Sequence, residues 1–349
     1  MSEIIPPQFI AGNEKRFFEF ISKLNDKDKI ALITHTDLDG VGAAKIVNEV
    51  VKTDFLRFID YAEINDSLLK ELKQNKINKL IITDISITEP GFVKKAEKFA
   101  DILMIDHHLF QEDFNTEKTI FLNPGSEYCA TYICYYLFSK AQDLEKYDWL
   151  VACASLSDYM TEKNKPLMES VYKKYGDPSP VDPTSTEHTL FNDLKNDLDS
   201  AIVYWKTKGN LKKVLDEIGE KFADIGTLRE NAKEVENEIK TTIEKFKEEK
   251  EEINGRYFWL FEPKFRIGSK LNNLISKLKP NKTHILVRPH GDKYVLSARR
   301  QDKEENMVEL LKKLLSGLGG ANSGGHIPAA GGHFLKKDLE KVKERLKSL

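Results

Sequence analysis

"KIALITHTDLDGVGAAKIVNEVV", residues 29–51, joins an apolar run to a helical pattern through a short polar turn. The run 29–35 is rich in Ile and Leu, as a strand buried on both faces is. The stretch 41–51 has its apolar residues at helical spacing. The turn between them carries His35, Asp37 and Asp39, ionisable groups at two-residue intervals. Such a turn alone is ordinary α/β punctuation. Its meaning depends on how neighbouring strands end.

The same alternation continues. "FLRFIDY" (55–61), "KLIITD" (79–84), "ILMID" (102–106) and "TIFLN" (119–123) read as strands, with helical patterns such as "SLLKELKQN" (67–75) between them. Strand–helix alternation predicts an α/β domain with a mostly parallel sheet and helices on both faces. The first strand then ends in His35, Asp37 and Asp39, the third in Asp84, and the fourth in Asp106, His107 and His108. Ligands of open parallel sheets bind at the carboxyl edge of the strands, so these groups are expected to share one crevice. Asp158 ends the apolar helical stretch "DWLVACASLSDYM" and is the fifth aspartate of the set. Crowded carboxylates resist ionisation unless cations compensate. Carboxylates with imidazoles and no thiolate suit manganese, magnesium or iron. The number of donors suits two ions roughly 3.5–4 Å apart, the arrangement that hydrolyses phosphoesters.

A proline-bearing stretch, "YGDPSPVDPTSTEH" (175–188), reads as a loop. Over 210–252, Leu211, Ile218, Ile225, Ala232, Ile239 and Phe246 recur every seven residues. This stripe predicts one helix ending near Ile225 and a second starting at Thr227. The helices either pack on a neighbouring domain or dimerise as a coiled coil. Beyond Arg256, "YFWLFE", "THILVR" and "YVLSAR" read as strands among helices at 269–279, 304–317 and 336–348, a second, smaller α/β domain. Its glycine-rich stretch "LGGANSGGHIPAAGGHF" (318–334) reads as an anion cradle beside a helix start at "AAG", or else as a loop between helices. Ser297, Arg299 and Arg300 end the strand upstream, and arginine is the planar partner of phosphate. The division expected is 1–165, a helical insertion and linker at 166–252, and 253–349.

The chain has 349 residues, 40% hydrophobic and 32% charged, with net charge −2. That balance describes an ordinary globular protein rather than a basic nucleic-acid coat. Three cysteines without CxxC spacing argue against a disulfide framework and a zinc knuckle. No apolar run approaches the roughly 20 residues of a membrane span, and the first residues show no signal-peptide pattern. A cytoplasmic protein is expected.

Together, HTDLDG (35–40), TDIS with Asp84, DHH (106–108), SLSD with Asp158 and GGHIPAAG (324–331) resemble the motifs of the DHH phosphoesterase superfamily, in the family's order and over both domains. The HxDxDG form is similar to the RecJ-like nucleases. The resemblance implies that His35, Asp37, Asp39, Asp84, His107 and Asp158 hold two manganese ions, or magnesium, with Asp84 bridging. It implies that Asp106 orients the histidine pair and that His108 faces the scissile phosphate. Ser297, Arg299, Gly324, Gly325 and His326 would hold the substrate's terminal phosphate or adjacent backbone. The implied activity is an exonuclease on single-stranded RNA or DNA or short oligonucleotides, releasing nucleoside monophosphates. The alternatives are a phosphatase of cyclic dinucleotides, phosphoadenosine phosphate or pyrophosphate, and a replication-associated binding protein. Replication or repair partners and a homodimer belong to the same set of expectations. The stretch 159–250 departs from the family by its length and helix content.

Overall fold

The structure is a computed structural model and describes residues 4–87, 90–185 and 187–349. Thr186, within the expected 175–188 loop, lies outside the described residues. Residues up to Ala232 form one compact unit and Lys233–Leu349 another.

The first unit runs α1 (Glu14–Ser22), β1 (Ile30–His35), α2 (Leu38–Val50), β2 (Phe55–Ile59), α3 (Asp66–Gln74), β3 (Lys79–Thr83), α4 (Pro90–Ala96), β4 (Asp101–Ile105) and β5 (Thr119–Leu122). Then follow α5 (Ala130–Phe138), α6 (Asp148–Ser157), α7 (Lys165–Tyr175), α8 (Leu190–Thr207) and α9 (Lys212–Glu217). The sheet is wholly parallel, in the order β2-β1-β3-β4-β5. Strand residues alternate between two cores. Ile30, Leu32, Ile81, Leu103 and Ile105 pack with α2 and α5–α9. Ala31, Ile33, Leu80, Ile82 and Met104 pack with α3 and α4. Covering both faces is what makes these strands near-continuously apolar. The chain leaves β1 to pair with β2 on one side and β3 on the other, so the sheet's switch point lies between β1 and β3.

Helices α7–α9 are built into this unit. Leu167, Met168, Val171, Phe191, Leu198 and Val214 are buried in the same core as α2, α5 and α6. The helix expected to continue to Ile225 stops at Glu217. The interruption is local: Gly219 N–H donates to the Asp224 carbonyl at 2.7 Å, and Ala223 and Gly226 are left-handed, with φ 54° and 47°. Ile218 and Ile225 are nevertheless both buried, so the seven-residue apolar repeat survives without a continuous helix. The next helix, α10 (Leu228–Glu249), begins one residue after Thr227, and the division between the units falls within it.

The second unit continues with β6 (Glu251–Ile253), β7 (Arg256–Leu260), α11 (Gly268–Leu278), β8 (His284–His290), β9 (Lys293–Arg299), α12 (Met307–Leu315), β10 (Asn322–His326), β11 (Ala329–Leu335) and α13 (Leu339–Ser348). Its sheet order is β10-β11-β9-β8-β7-β6, antiparallel except between β7 and β8. Ile285, Val287, Leu296, Ala298, Ala330 and Phe334 form one core with α12 and α13. The glycine-rich stretch is not a loop between helices, and no helix starts at "AAG". It is the hairpin β10–β11. Gly325 shows why: at φ 142° its backbone crosses β11 so closely that a Cβ would lie 2.5 Å from the Ala329 carbonyl oxygen. Among the described residues no helix is long and apolar enough to cross a membrane.

Candidate metal centre

The carboxyl edge of the parallel sheet gathers the ionisable groups from distant parts of the chain. Asp37 caps α2, its Oδ1 accepting from Gly40 N–H at 3.0 Å. Thr34 Oγ1, at the end of β1, donates to the Gly40 carbonyl at 2.9 Å. Gly40 must lack a side chain, because a Cβ would stand 2.4 Å from the His35 carbonyl oxygen. Gly40→Ala is therefore expected to cost about 1–3 kcal/mol by overpacking and to displace His35. Urea unfolding and metal titration of the variant check both effects.

Asp39 lies fully buried in the first turn of α2, facing the start of α5. Its two carboxylate oxygens accept the N–H groups of Ala130 at 2.6 Å and Thr131 at 2.8 Å. Asp39 thus has two functions, joining α2 to the N-terminus of α5 and offering its remaining lone pairs to the crevice. Asp84 follows β3 in a left-handed conformation, φ 57°, with its N–H on the Ile105 carbonyl at 3.0 Å. Non-glycine residues rarely adopt this conformation, and such strain concentrates at functional sites. Asp106 and His107 follow β4, and Asp158 caps the C-terminus of α6.

Two groups of donors result, with Asp84 reaching toward both. His35 Nδ1 is 2.7 Å from Asp37 Oδ2 and 3.8 Å from Asp84 Oδ2. His107 Nε2 is 3.3 Å from Asp84 Oδ1, 3.4 Å from Asp158 Oδ2 and 3.8 Å from Asp39 Oδ2. Beside them, His108 Nδ1 is 2.7 Å from Asp106 Oδ1. In each of the sets His35/Asp37/Asp84, Asp39/His107/Asp158 and Asp84/Asp106/His107/His108, the donor atoms lie within 4.8 Å of one another. Every residue expected in the first-domain site is thus brought together.

The electrostatics call for cations. Burial, then repulsion from Asp37, Asp39, Asp158 and Asp106, pushes the Asp84 carboxyl well above its usual range. Burial and the charges of Asp39 and Asp37 push Asp158 up to about 9. Asp37 goes the other way: desolvation opposes it, but the His35 contact and the Gly40 N–H bring it down to about 2. Burial lowers His107, favouring the neutral imidazole that a metal requires. Burial also opposes charge on His108, but its hydrogen bond to Asp106 prevails and raises it. Asp84 Oδ2 and both ring nitrogens of His107 are buried without a hydrogen-bond partner. Buried polar atoms are seldom left so, and two imidazoles with four carboxylates fit a pair of divalent ions.

An outer ring of residues surrounds these donors. Tyr61 stacks on His35, with ring centroids 5.1 Å apart, and its hydroxyl is 3.1 Å from His108 Nε2. Asp60 Oδ1 accepts from Thr36 Oγ1 and from Lys206 Nζ, each at 2.8 Å, and lies 4.0 Å from His35 Nε2. Asp60 and Tyr61 follow β2, so the strand-edge argument could have found them. Lys206, on α8, left no such signal.

Residues 29–160 match the family model described as the DHH family, N-terminal domain. Those residues are thus a DHH-family domain, the kind found in the DHH phosphoesterase superfamily. The fold of the chain agrees. It is similar to an exonuclease RecJ crystallised with manganese, at 14% identity and TM-score 0.70, covering 99% of this chain and 95% of that one. It is similar to RecJ from Thermus thermophilus in complex with Mn²⁺, at 14% identity and TM-score 0.68. There it covers 99% of this chain but 56% of the longer protein. A pGpG-specific phosphodiesterase from Vibrio cholerae matches at 14% identity and TM-score 0.52, over 92% of this chain and 98% of that one. No curated protein sequence matches.

Four of the five residues expected to bind substrate in the second unit, Ser297, Arg299, Gly324 and His326, also share a face. In the sheet, His326, Ala329 and Arg299 lie opposite one another across β10, β11 and β9, as do Gly324, Gly331 and Ser297. Opposed residues of antiparallel strands point to the same face. Arg299, Ser297 and Gly331 line a cavity of about 300 Å³ that also includes Arg288. Asn272 of α11 donates to Ser297 Oγ at 3.0 Å. Gly325 falls in the alternate row, where its part is the close crossing of β10 over β11.

Proposed function

We propose that this DHH protein is a divalent-metal phosphodiesterase acting as an exonuclease on single-stranded or short oligonucleotides, and that it releases nucleoside monophosphates. The observation that carries the reading is the pair of donor sets sharing Asp84. His35, Asp37 and Asp84 would hold one ion, and Asp39, Asp84, His107 and Asp158 the other. Manganese is the ion proposed, because imidazole donors favour it over magnesium. Bound there, the ions would act as Lewis acids on phosphoryl oxygens and lower the pKa of water.

The remaining residues have distinct tasks. Asp106 fixes the His108 ring through Nδ1 and leaves Nε2 turned toward Tyr61 and the site. His108 is the group proposed to face the scissile phosphate. In the second unit, Ser297, Arg299, Gly324 and His326 are proposed to hold a terminal phosphate, arginine supplying its planar donor fork, while Gly325, in the alternate row, serves the strand crossing. The complete donor set favours an enzyme over a protein that acts only by binding. Replication or repair factors remain the partners proposed for it. Its three cysteines are free and buried, which fits a cytoplasmic, reducing setting.

The test is hydrolysis of 5′-labelled RNA and DNA, from dinucleotides to long single strands, with Mn²⁺. Stepwise release of mononucleotides is expected. Hydrolysis confined to cyclic dinucleotides, phosphoadenosine phosphate or pyrophosphate would replace this reading with a small-phosphate phosphatase. No hydrolysis of any of them would overturn both.

A further inference from the structure

Three large apolar or aromatic side chains left exposed touch residues of the metal centre or follow them in the chain. Tyr61 is 45% exposed and contacts His35 and His108 directly. Leu109, 84% exposed, follows His108 in the chain, and Tyr159, 55% exposed, follows Asp158. Tyr159 is also left-handed, φ 60°. That conformation closes α6, with Met160 N–H donating to the Ser155 carbonyl at 2.9 Å.

Tyr61 is the best fixed of the three. It opens a 3₁₀ turn, Tyr61–Glu63, closed by a reciprocal capping box between Asp60 and Glu63. Asp60 is in turn anchored by Thr36 and by Lys206 of α8. One side of the phenol ring lies against the His35 imidazole, and the hydroxyl lies against His108 Nε2. The exposed remainder is a preorganised flat surface beside the cluster of carboxylates. Neither a phosphate nor a metal ion needs such a surface. A nucleobase does, since base–aromatic stacking is tolerant of sequence and strong enough to decide affinity.

We propose that Tyr61 is a specificity-determining residue that stacks on the nucleobase next to the scissile phosphodiester. The stack selects nucleotide diesters over inorganic diphosphates at the same metal centre. The inference rests on the phosphodiesterase reading and names the part of the substrate that the metals do not recognise. Lys206 enters only as the anchor of the Asp60–Tyr61 turn.

The experiment crosses a substitution in the protein with a deletion in the substrate. KM is measured for a dinucleotide and for its counterpart lacking the base next to the cleaved bond, with wild type, Tyr61→Ala and Tyr61→Phe. Tyr61→Ala and base removal are each expected to raise KM about tenfold, and together no more than either alone. Tyr61→Phe keeps the ring and loses the hydroxyl at His108, so it is expected to restore KM. Equal losses on both substrates, or a Tyr61→Phe as poor as Tyr61→Ala, would make Tyr61 a positioning residue for His108 and overturn the stack. A second readout needs no turnover. A phosphorothioate dinucleotide carrying 2-aminopurine is titrated with Mg²⁺ present, and its fluorescence is expected to be quenched by wild type and Tyr61→Phe but not by Tyr61→Ala. If no diester is hydrolysed, the phosphodiesterase reading falls while the fluorescence still decides the stack.

Discussion

Asp84→Asn is expected to abolish hydrolysis, by about 10³-fold or more, in a protein that folds as well as the wild type. The size follows from position. Asp84 turns one oxygen toward His35 and the other toward His107. An amide offers one oxygen, so one of the two donor sets loses a member. Metal-borne stabilisation of phosphoryl charge amounts to several kcal/mol, and about 1.4 kcal/mol is a factor of ten in rate. The fold should persist because asparagine tolerates the left-handed backbone at φ 57°. Alanine there would add about 1–2 kcal/mol of strain and confuse the result. Burial, and then repulsion from Asp37, Asp39, Asp158 and Asp106, also opposes charge on Asp84. The metal-free variant is therefore expected to be at least as stable as metal-free wild type. Single-turnover hydrolysis and thermal unfolding in chelator check the pair of expectations. An Asp84→Asn protein within tenfold of wild-type rate would remove Asp84 from the metal centre.

The sequence revealed this cluster because all its members but Asp158, which ends α6, obey one rule, polar residues at or just after the carboxyl ends of buried parallel strands. His35, Asp84 and Asp106 each follow such a strand, and the apolar runs before them mark where the strands end. Asp39 was legible as a donor but not as the partner of α5, since its hydrogen bonds to Ala130 and Thr131 span more than 90 residues of chain. Lys206 reaches Thr36 across 170 residues, and a solvent-side lysine on an amphipathic helix carries no sign of its partner. The β10–β11 hairpin was hidden for a different reason. Strand recognition needs side chains that alternate, and Gly324, Gly325, Gly331 and Gly332 have none. The same lack of Cβ atoms lets the two strands cross closely at Gly325. The helix expected up to Ile225 failed because an apolar period of seven reports burial, and a turn containing Gly219 and left-handed Ala223 can bury Ile218 and Ile225 equally well.

Removing the metal should make stability depend on pH in a way the loaded protein does not show. In the folded chain Asp84 and Asp158 bind protons more tightly than in the unfolded chain, because burial and neighbouring carboxylates raise them. Where the folded state holds more protons, unfolding free energy falls as pH rises. For Asp158 that window opens near its ordinary value of 3.8 and closes near 9. Metal-free wild type is therefore expected to lose melting temperature across this range relative to Asp158→Asn, which cannot ionise there. Asp37 contributes with the opposite sign. Its carboxyl, lowered to about 2, stabilises above pH 3.8 and ceases to do so as pH falls through about 2, outside the window that tests Asp158. Divalent metal reverses the loss, since binding displaces the protons of Asp84 and Asp158 and needs His107 neutral. Mn²⁺ at a hundred times its dissociation constant adds about 2.7 kcal/mol to the stability of the folded state. Its affinity should climb with pH up to about 9, with protons released on binding. Calorimetric titration in buffers of different ionisation enthalpy reads that release directly. A pH-independent melting difference between metal-free wild type and Asp158→Asn would show that Asp158 is not held protonated by the cluster. Mn²⁺ binding without proton release would separate the ion from these carboxylates altogether.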